Sequence, residues 1–249
     1  MESKFQLPTE TVELPSKGLL YAKDSPLASG TIEMKYMTAK EEDILTNANY
    51  LNNGTAIDKL LRSLVVDKKI RYNDLLVGDK NAMMIAARVL SYGKDYVFTY
   101  NNEEHTVDLS TLKLKYADEK IIKDRKNEFL FKLPNTDNTV TFKLLNHDDE
   151  QAIDKEIAGL RKIDKRSSSA SSTRLKYMIT SVNGLTEQKD IREFVDNYML
   201  AKDARALRKY YNEVAPDVEF TTTIVNEDGG EEDITIPITL KFFWPDFWI

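Results

Sequence analysis

The sequence predicts an α+β protein in which helical units are each followed by antiparallel β-hairpins, arranged as two loosely related halves. Three observations carry this expectation. Apolar residues recur at helical spacing in several separate segments. Short runs rich in β-branched and aromatic residues flank polar turn clusters at residues 101–104, 134–138 and 226–232, which is hairpin chemistry. The order of helices followed by a hairpin occurs twice, over 38–109 and over 147–240. The expected division is therefore 1–146, with an extended N-terminal arm, a helical unit and hairpins, and 147–249, with a helical unit, a hairpin and an aromatic end.

In the arm, Val12-Glu-Leu-Pro-Ser-Lys-Gly18 reads as strand and turn, and Gly30-Thr-Ile-Glu-Met-Lys-Tyr-Met37 alternates like a half-buried strand. Thr38-Ala-Lys-Glu41 is a capping box that opens a helix through about Tyr50. Gly54 breaks the chain, and the next helix carries the apolar face Ile57, Leu60, Leu61, Leu64 and Val65. A third helix runs from Asp79, as N-cap, to Leu90, with Gly93 just past its end. Tyr96–Tyr100 and His105–Leu109 form one expected hairpin, Phe129–Leu133 and Val140–Leu145 another. Helices are expected over about 147–163, 173–182, 187–200 and 202–213, the third capped by Thr186. Ser167–Ser172 reads as a loop, Pro216 ends the helical run, and strands at 218–225 and 233–239 make the last hairpin.

With 249 residues, 41% apolar and 31% charged, the chain can bury a real core under a charge-rich surface. A net charge of −6 argues against a dedicated nucleic-acid binder, which needs a positive footprint. The absence of cysteine excludes disulfides, thiolate metal sites and Cys nucleophiles. The first residues lack the apolar core of a signal peptide, and no run approaches the roughly 18 apolar residues of a membrane span, so a cytosolic protein is expected.

Catalytic, cofactor-binding and metal-binding residues are all expected to be none. His105 and His147 fall in different elements without ligand spacing and read as a strand residue and a helix-start residue. The acid clusters Glu41–Asp43 and Asp148–Glu150 sit at helix starts, where acids complement the macrodipole; Glu227, Asp228 and Glu231–Asp233 belong to a hairpin loop. An enzyme would need two of these clusters in one concave pocket. Val77-Gly-Asp-Lys80 reads as a glycine turn with an N-capping Asp rather than a phosphate cradle, because it lacks P-loop spacing. Asp203 to Tyr211 reads as an amphipathic helix with local ion pairs, its alternative being an Arg-aromatic contact face through Arg208 and Tyr211.

The last nine residues hold five aromatics, including both tryptophans. Chain ends are usually polar, so such an end is expected to be buried in its own domain or in a partner. Phe242, Phe243, Trp244, Phe247 and Trp248 are the expected partner-binding residues. Consecutive residues on a strand point to opposite faces, so Phe242 to Trp244 are expected to lock the hairpin in part, leaving Phe247 and Trp248 as the better handle.

Several segments, in order, resemble a known family: Val12-Glu-Leu-Pro-Ser-Lys-Gly-Leu-Leu-Tyr21, Met37-Thr-Ala-Lys-Glu-Glu-Asp-Ile-Leu45, Gly54 to Leu64, Asp74-Leu-Leu-Val-Gly-Asp79, Leu90-Ser-Tyr-Gly93, and Ala215-Pro-Asp-Val-Glu-Phe220 through Phe242-Phe-Trp-Pro245. Together they are similar to the T4-type bacteriophage baseplate hub assembly proteins. The resemblance implies a non-enzymatic assembly factor, a chaperone or catalyst of assembly that binds baseplate hub proteins transiently. It implies no small-molecule substrate, a place in the host cell cytoplasm and absence from the mature virion. The alternative it leaves open is a structural subunit retained in the hub. Relatives are also expected to carry Cys pairs on their hairpin turns, resembling small zinc ribbons; this chain has Asn101-Asn-Glu-Glu104 and Asn226-Glu-Asp-Gly-Gly230 there, and no metal.

Overall fold

The N-terminal arm closes on itself. β1 (Thr9–Glu13) and β2 (Thr31–Lys35) pair antiparallel, Thr9 opposite Lys35 and Glu13 opposite Thr31. Between them Leu14 N–H donates to the Gly30 carbonyl at 2.9 Å. Gly18 and Gly30 sit at φ 71° and 76°, the left-handed region that glycine enters without a Cβ penalty. The computed structural model describes residues 7–122, 124–163, 169–225 and 229–243. Of the expectations above, Trp244 to Ile249, Asn226 to Asp228 and Ser167–Ser168 lie outside the described residues.

Helices α1 (Ala39–Thr46), α2 (Ala48–Asn52), α3 (Ala56–Leu64) and α4 (Val77–Tyr92) follow. The capping box forms, with Thr38 N–H donating to the Glu41 carboxylate at 3.1 Å. The single helix expected through Tyr50 is two. Asn47 is extended (φ −70°, ψ 111°) and its side-chain oxygen accepts from Asn49 and Tyr50 N–H, so it caps a new helix instead of continuing the old one. α3 buries Leu60, Leu61 and Leu64, the stripe that its spacing predicts. α4 begins two residues before Asp79, with Leu76 as N-cap, and ends at Gly93 with φ 81°.

β3 (Asp95–Tyr100) and β4 (Glu103–Asp108) form a hairpin whose turn is only Asn101 and Asn102, at φ 49° and 68°. Two left-handed residues match the strand twist, which tightens the four-residue turn expected from the sequence. β5 (Leu114–Lys115), β6 (Phe129–Lys132) and β7 (Thr139–Phe142) come next, then α5 (His147–Ile163) and α6 (Ala170–Met178). The helix expected to reach residue 182 instead turns into strand β8 (Ile179–Val182), whose β-branched residues pair with β7 to make the sheet β6-β7-β8. In α7 (Gln188–Asn197) the expected cap Thr186 is not used; a tight turn closed between Val182 and Leu185 leaves Glu187 at that position. α8 (Ala201–Val214), β9 (Asp217–Val218), β10 (Thr221–Val225), β11 (Glu231–Thr235) and α9 (Leu240–Phe243) complete the chain.

Long-range pairings knit the halves. β5 pairs antiparallel with β9, and the three-stranded sheet takes residues 129–142 from one side of position 146 and 179–182 from the other. One contiguous core runs from Leu14 through Phe142 to Phe243. Tyr210 of α8 stacks on Phe131 at 5.0 Å and meets Phe142 edge-on at 5.8 Å. Arg192 of α7 forms a bidentate pair with Glu156 of α5, both bonds 2.8 Å, and holds that carboxyl below its usual range.

Gly78, inside the first turn of α4, lies against β9. A Cβ there would fall 1.9 Å from the Pro216 carbonyl oxygen and 2.9 Å from Asp217 Cα, both backbone atoms. Gly78→Ala should therefore cost about 2 kcal/mol or more. Gly159, in α5, has nothing within 4 Å of the same atom, so Gly159→Ala should stabilise by about 0.5–1 kcal/mol. Urea unfolding midpoints of the two variants should move in opposite directions.

Candidate protein interface at the C-terminal aromatic segment

The expected final strand stops at Thr235. Pro237 then lacks an N–H for any ladder, and its carbonyl accepts the Tyr96 hydroxyl at 2.8 Å. After Ile238 the chain makes the single helical turn α9, where Phe242 N–H donates to the Thr239 carbonyl at 3.0 Å. This turn changes the argument about side-chain direction. Neighbours on a helix are about 100° apart rather than opposed, so two consecutive rings can both face inward.

Both do. Phe242 is 0% and Phe243 1% exposed. Their rings meet edge-on at 4.9 Å, and Phe242 meets Tyr96 edge-on at 4.9 Å, with Tyr96 stacked on Phe98 at 5.8 Å. α9 also packs against α4. Phe242 and Phe243, two of the expected partner-binding residues, therefore lie closed inside the chain's own core and lock the end of the last hairpin onto the β3–β4 hairpin. The other three, Trp244, Phe247 and Trp248, lie outside the described residues. A second bond crosses between the hairpins further out: Tyr100 hydroxyl to the Glu232 carboxylate, 3.2 Å.

The other sequence candidates are distributed over separate elements. His105 lies on β4, its ring 5.8 Å from Phe98, with Glu103 at 3.9 Å. In the acid clusters, Glu41 is buried and bonds Lys35 at 2.6 Å. Asp149 and Asn146 exchange backbone-to-side-chain bonds at the start of α5, and Asp149 also takes Lys143 at 2.7 Å. Among the described residues no group of three or more His, Asp or Glu could hold a metal ion.

Two aspartates expected to do local work reach across the fold instead. Asp79 is not an N-cap: fully buried, it accepts Ser16 N–H at 2.9 Å and the Tyr21 hydroxyl at 2.5 Å. Burial pushes its carboxyl up. Among the described residues Asp203 makes no local ion pair. It accepts the Asn135 backbone and side-chain N–H groups and the Thr136 hydroxyl at 2.8–2.9 Å, bracing the β6–β7 turn. Burial opposes its charge, yet these donors hold its carboxyl below the usual range. Tyr211 is turned inward, its hydroxyl accepting Leu145 N–H at 3.1 Å, while Arg208 donates to Ser171 at 3.2 Å, so the two do not form one contact face.

His147, read from the sequence as a helix-start residue, opens α5 and is packed among polar partners from other elements. It is 2% exposed, with Tyr72 edge-on at 4.9 Å, Lys80 Nζ 3.3 Å from Nδ1 and Asp58 Oδ2 3.6 Å from Nε2. These partners come from α3, α4 and the segment before α4, so only the tertiary fold assembles them. Burial lowers the His147 pKa; Asp58 and Asp148 oppose this, and Lys80 and Arg62 reinforce it.

Two predictions follow from this geometry. Phe242→Ala should lower stability by about 3–5 kcal/mol, because it empties a closed aromatic cluster, and thermal unfolding should show it. For His147 the folded pKa lies below the unfolded value of about 6.5, so the unfolded chain takes up the proton first. Stability from this group is complete above that value and is lost as pH falls towards the folded pKa. His147→Gln should flatten the pH dependence of unfolding free energy below pH 6.5 while leaving the slope above it unchanged.

Compared with known proteins, residues 8–244 match a family model described as T4 bacteriophage base plate protein, a span from just before β1 to one residue past α9. No curated protein and no solved structure matches the chain.

Proposed function

The chain belongs to the T4 bacteriophage base plate protein family, and we propose that within it the protein is a non-enzymatic assembly factor for the baseplate hub. It binds hub proteins transiently, promotes their joining and is released. It works in the host cell cytoplasm and is absent from the finished virion.

The observation that carries the reading is the distribution of exposed apolar side chains. Val97 lies on β3, Leu130 on β6, Tyr198 and Leu200 between α7 and α8, and Val225 on β10. Others, Ile163, Leu185, Leu7, Tyr116, Ile121 and Val66, stand elsewhere along the chain, so exposed apolar side chains come from many elements. A permanent subunit needs a broad apolar interface, whereas a factor that must let go needs a few anchors within a polar surface. The placement of the carboxylates supports a role without covalent chemistry, since Asp79, Asp203 and Glu41 are spent on holding backbone and side-chain donors.

The Phe242–Phe243 lock separates the aromatic end into a structural part and residues 244–249. Deleting 246–249 should leave the thermal midpoint within a few degrees of the intact chain and weaken binding to baseplate hub proteins. A large loss of stability would place the deleted residues in the core. Mass spectrometry of purified tails should find this chain absent or far below the copy number of hub subunits. Stoichiometric peptides would overturn the assembly-factor reading in favour of a retained subunit.

A further inference from the structure

The β3–β4 hairpin is a two-stranded sheet, so among the described residues β3 has a free edge. With a two-residue turn, Tyr100 and Glu103 exchange ladder bonds, and alternate residues then turn their amide and carbonyl outward. Counting back, these are Thr99, Val97 and Asp95. The parity has an independent check: the Asp95 carbonyl accepts Arg88 Nη2 at 3.0 Å, from outside the hairpin. The outward amides and carbonyls of Val97 and Thr99 have no partner among the described residues.

This edge lines a cleft of about 550 Å³ together with Pro237 and Thr239. Arg88 lines it too. That side chain is 3% exposed, its Nη1 and Nη2 are used on the Gly93 and Asp95 carbonyls, and its Nε–H has no partner. The cleft therefore opens on a strand edge, which is the hydrogen-bonding complement of a peptide backbone.

The surroundings state the charge of what fits. β3 and β4 carry Asp95, Glu103, Glu104 and Asp108, and β11 adds Glu231 to Asp233, while residues 95–108 and 221–239 contain no Lys or Arg, so the buried Arg88 guanidinium in the cleft wall is outnumbered by carboxylates. His105 is the one other titratable group with a positive form on these strands, and Lys94, at the flank, is committed to Asp108 at 2.6 Å. Asp95, Val97 and Thr99 share the solvent-facing side with Glu104, which lies directly opposite Thr99. Val97 is 53% exposed there. The inward-facing neighbours are Tyr96 and Phe98.

We propose that the free edge of β3 is a strand-addition site for an extended segment of a partner protein in which Lys or Arg alternates with apolar residues. The basic side chains would lie over Asp95 and Glu104, and the apolar ones would turn towards Tyr96, Phe98 and Pro237. Backbone bonds to Val97 and Thr99 supply affinity, and the acidic face supplies selectivity and speeds encounter. The proposal deepens the assembly-factor reading and rests on it only for the inference that a baseplate protein supplies the segment.

The test uses the full chain and a fluorescein-labelled decapeptide of alternating Lys and Val, with alternating Glu and Val as comparison. Binding is read by anisotropy, and edge occupancy by amide hydrogen exchange at Val97 and Thr99. The Lys-Val peptide should bind, slow exchange at both amides, and weaken as salt is raised. Val97→Pro removes an outward N–H without touching the β4 ladder and should weaken binding about tenfold. Thr106→Pro, which blocks the opposite edge of the same hairpin, should not. Glu104→Lys, with no backbone change, should also weaken binding. Equal binding of the Glu-Val peptide, or wild-type binding by Val97→Pro, would overturn the proposal. Slowed exchange that appears with protein concentration alone would assign the edge to a second copy. Faster exchange on removing 244–249 would assign it to the chain's own end. Either result overturns the basic-partner proposal. None of these outcomes depends on whether the protein stays in the tail, which the mass spectrometry decides separately.

Discussion

The first turn of α4 is the joint on which the rest of the fold depends. A helix start leaves amides without intrahelical partners, and here tertiary segments supply them. Leu76 N–H donates to the Tyr21 hydroxyl at 2.9 Å, and Val77 N–H to the Leu145 carbonyl at 3.2 Å. The same Tyr21 hydroxyl donates to Asp79, which also takes Ser16 N–H. At Gly78 the chain brings Pro216 to within reach of the helix backbone, and Asn81 fixes Asp217 at 2.8 Å. Three segments far apart in sequence, near residues 16–21, 145 and 216, thus meet on one turn. A buried carboxylate lacking these donors would cost several kcal/mol, so arm and helix order each other.

The second half repeats the device. α8, like α4, has a leucine at its N-cap and an aspartate as its third residue, and Asp203 is as fully buried as Asp79. In each half the carboxylate leaves its own helix to hold the backbone amide of another segment, Ser16 in one and Asn135 in the other. The coarse echo of helices followed by a hairpin therefore has a counterpart in bonding. The halves are not separate bodies for that reason alone, since β5 with β9 and the sheet β6-β7-β8 run across the division.

What the sequence made legible was local. The capping box at Thr38, the stripe on α3, Gly93 as a helix stop and the Asn-rich turn at 101 each act within a few residues, and each stands in the structure. What it hid depends on distant partners. β5 and β9 are two residues each, too short for any alternation to show, and exist because they pair with one another. Ile179–Val182 continues an amphipathic pattern and becomes strand only because β7 offers an edge. Asp79 and Asp203 look like ordinary helix-start acids until their acceptor role across the fold is seen. At the aromatic end, the Phe-Phe pair announced burial, but only α9 shows how two consecutive rings can share one side.

The lack of cysteine on the hairpin turns bears on how the hairpins are held. Asn101 and Asn102 close the first by backbone geometry alone, and Tyr96 and Tyr100 bind it to the last hairpin through Pro237 and Glu232. The inner bond sits beside the Phe242–Phe243 cluster; the outer one is exposed and ends on a carboxylate. Aromatic burial is thus concentrated at the base of the paired hairpins, and among the described residues the contact further out is a polar, exposed one.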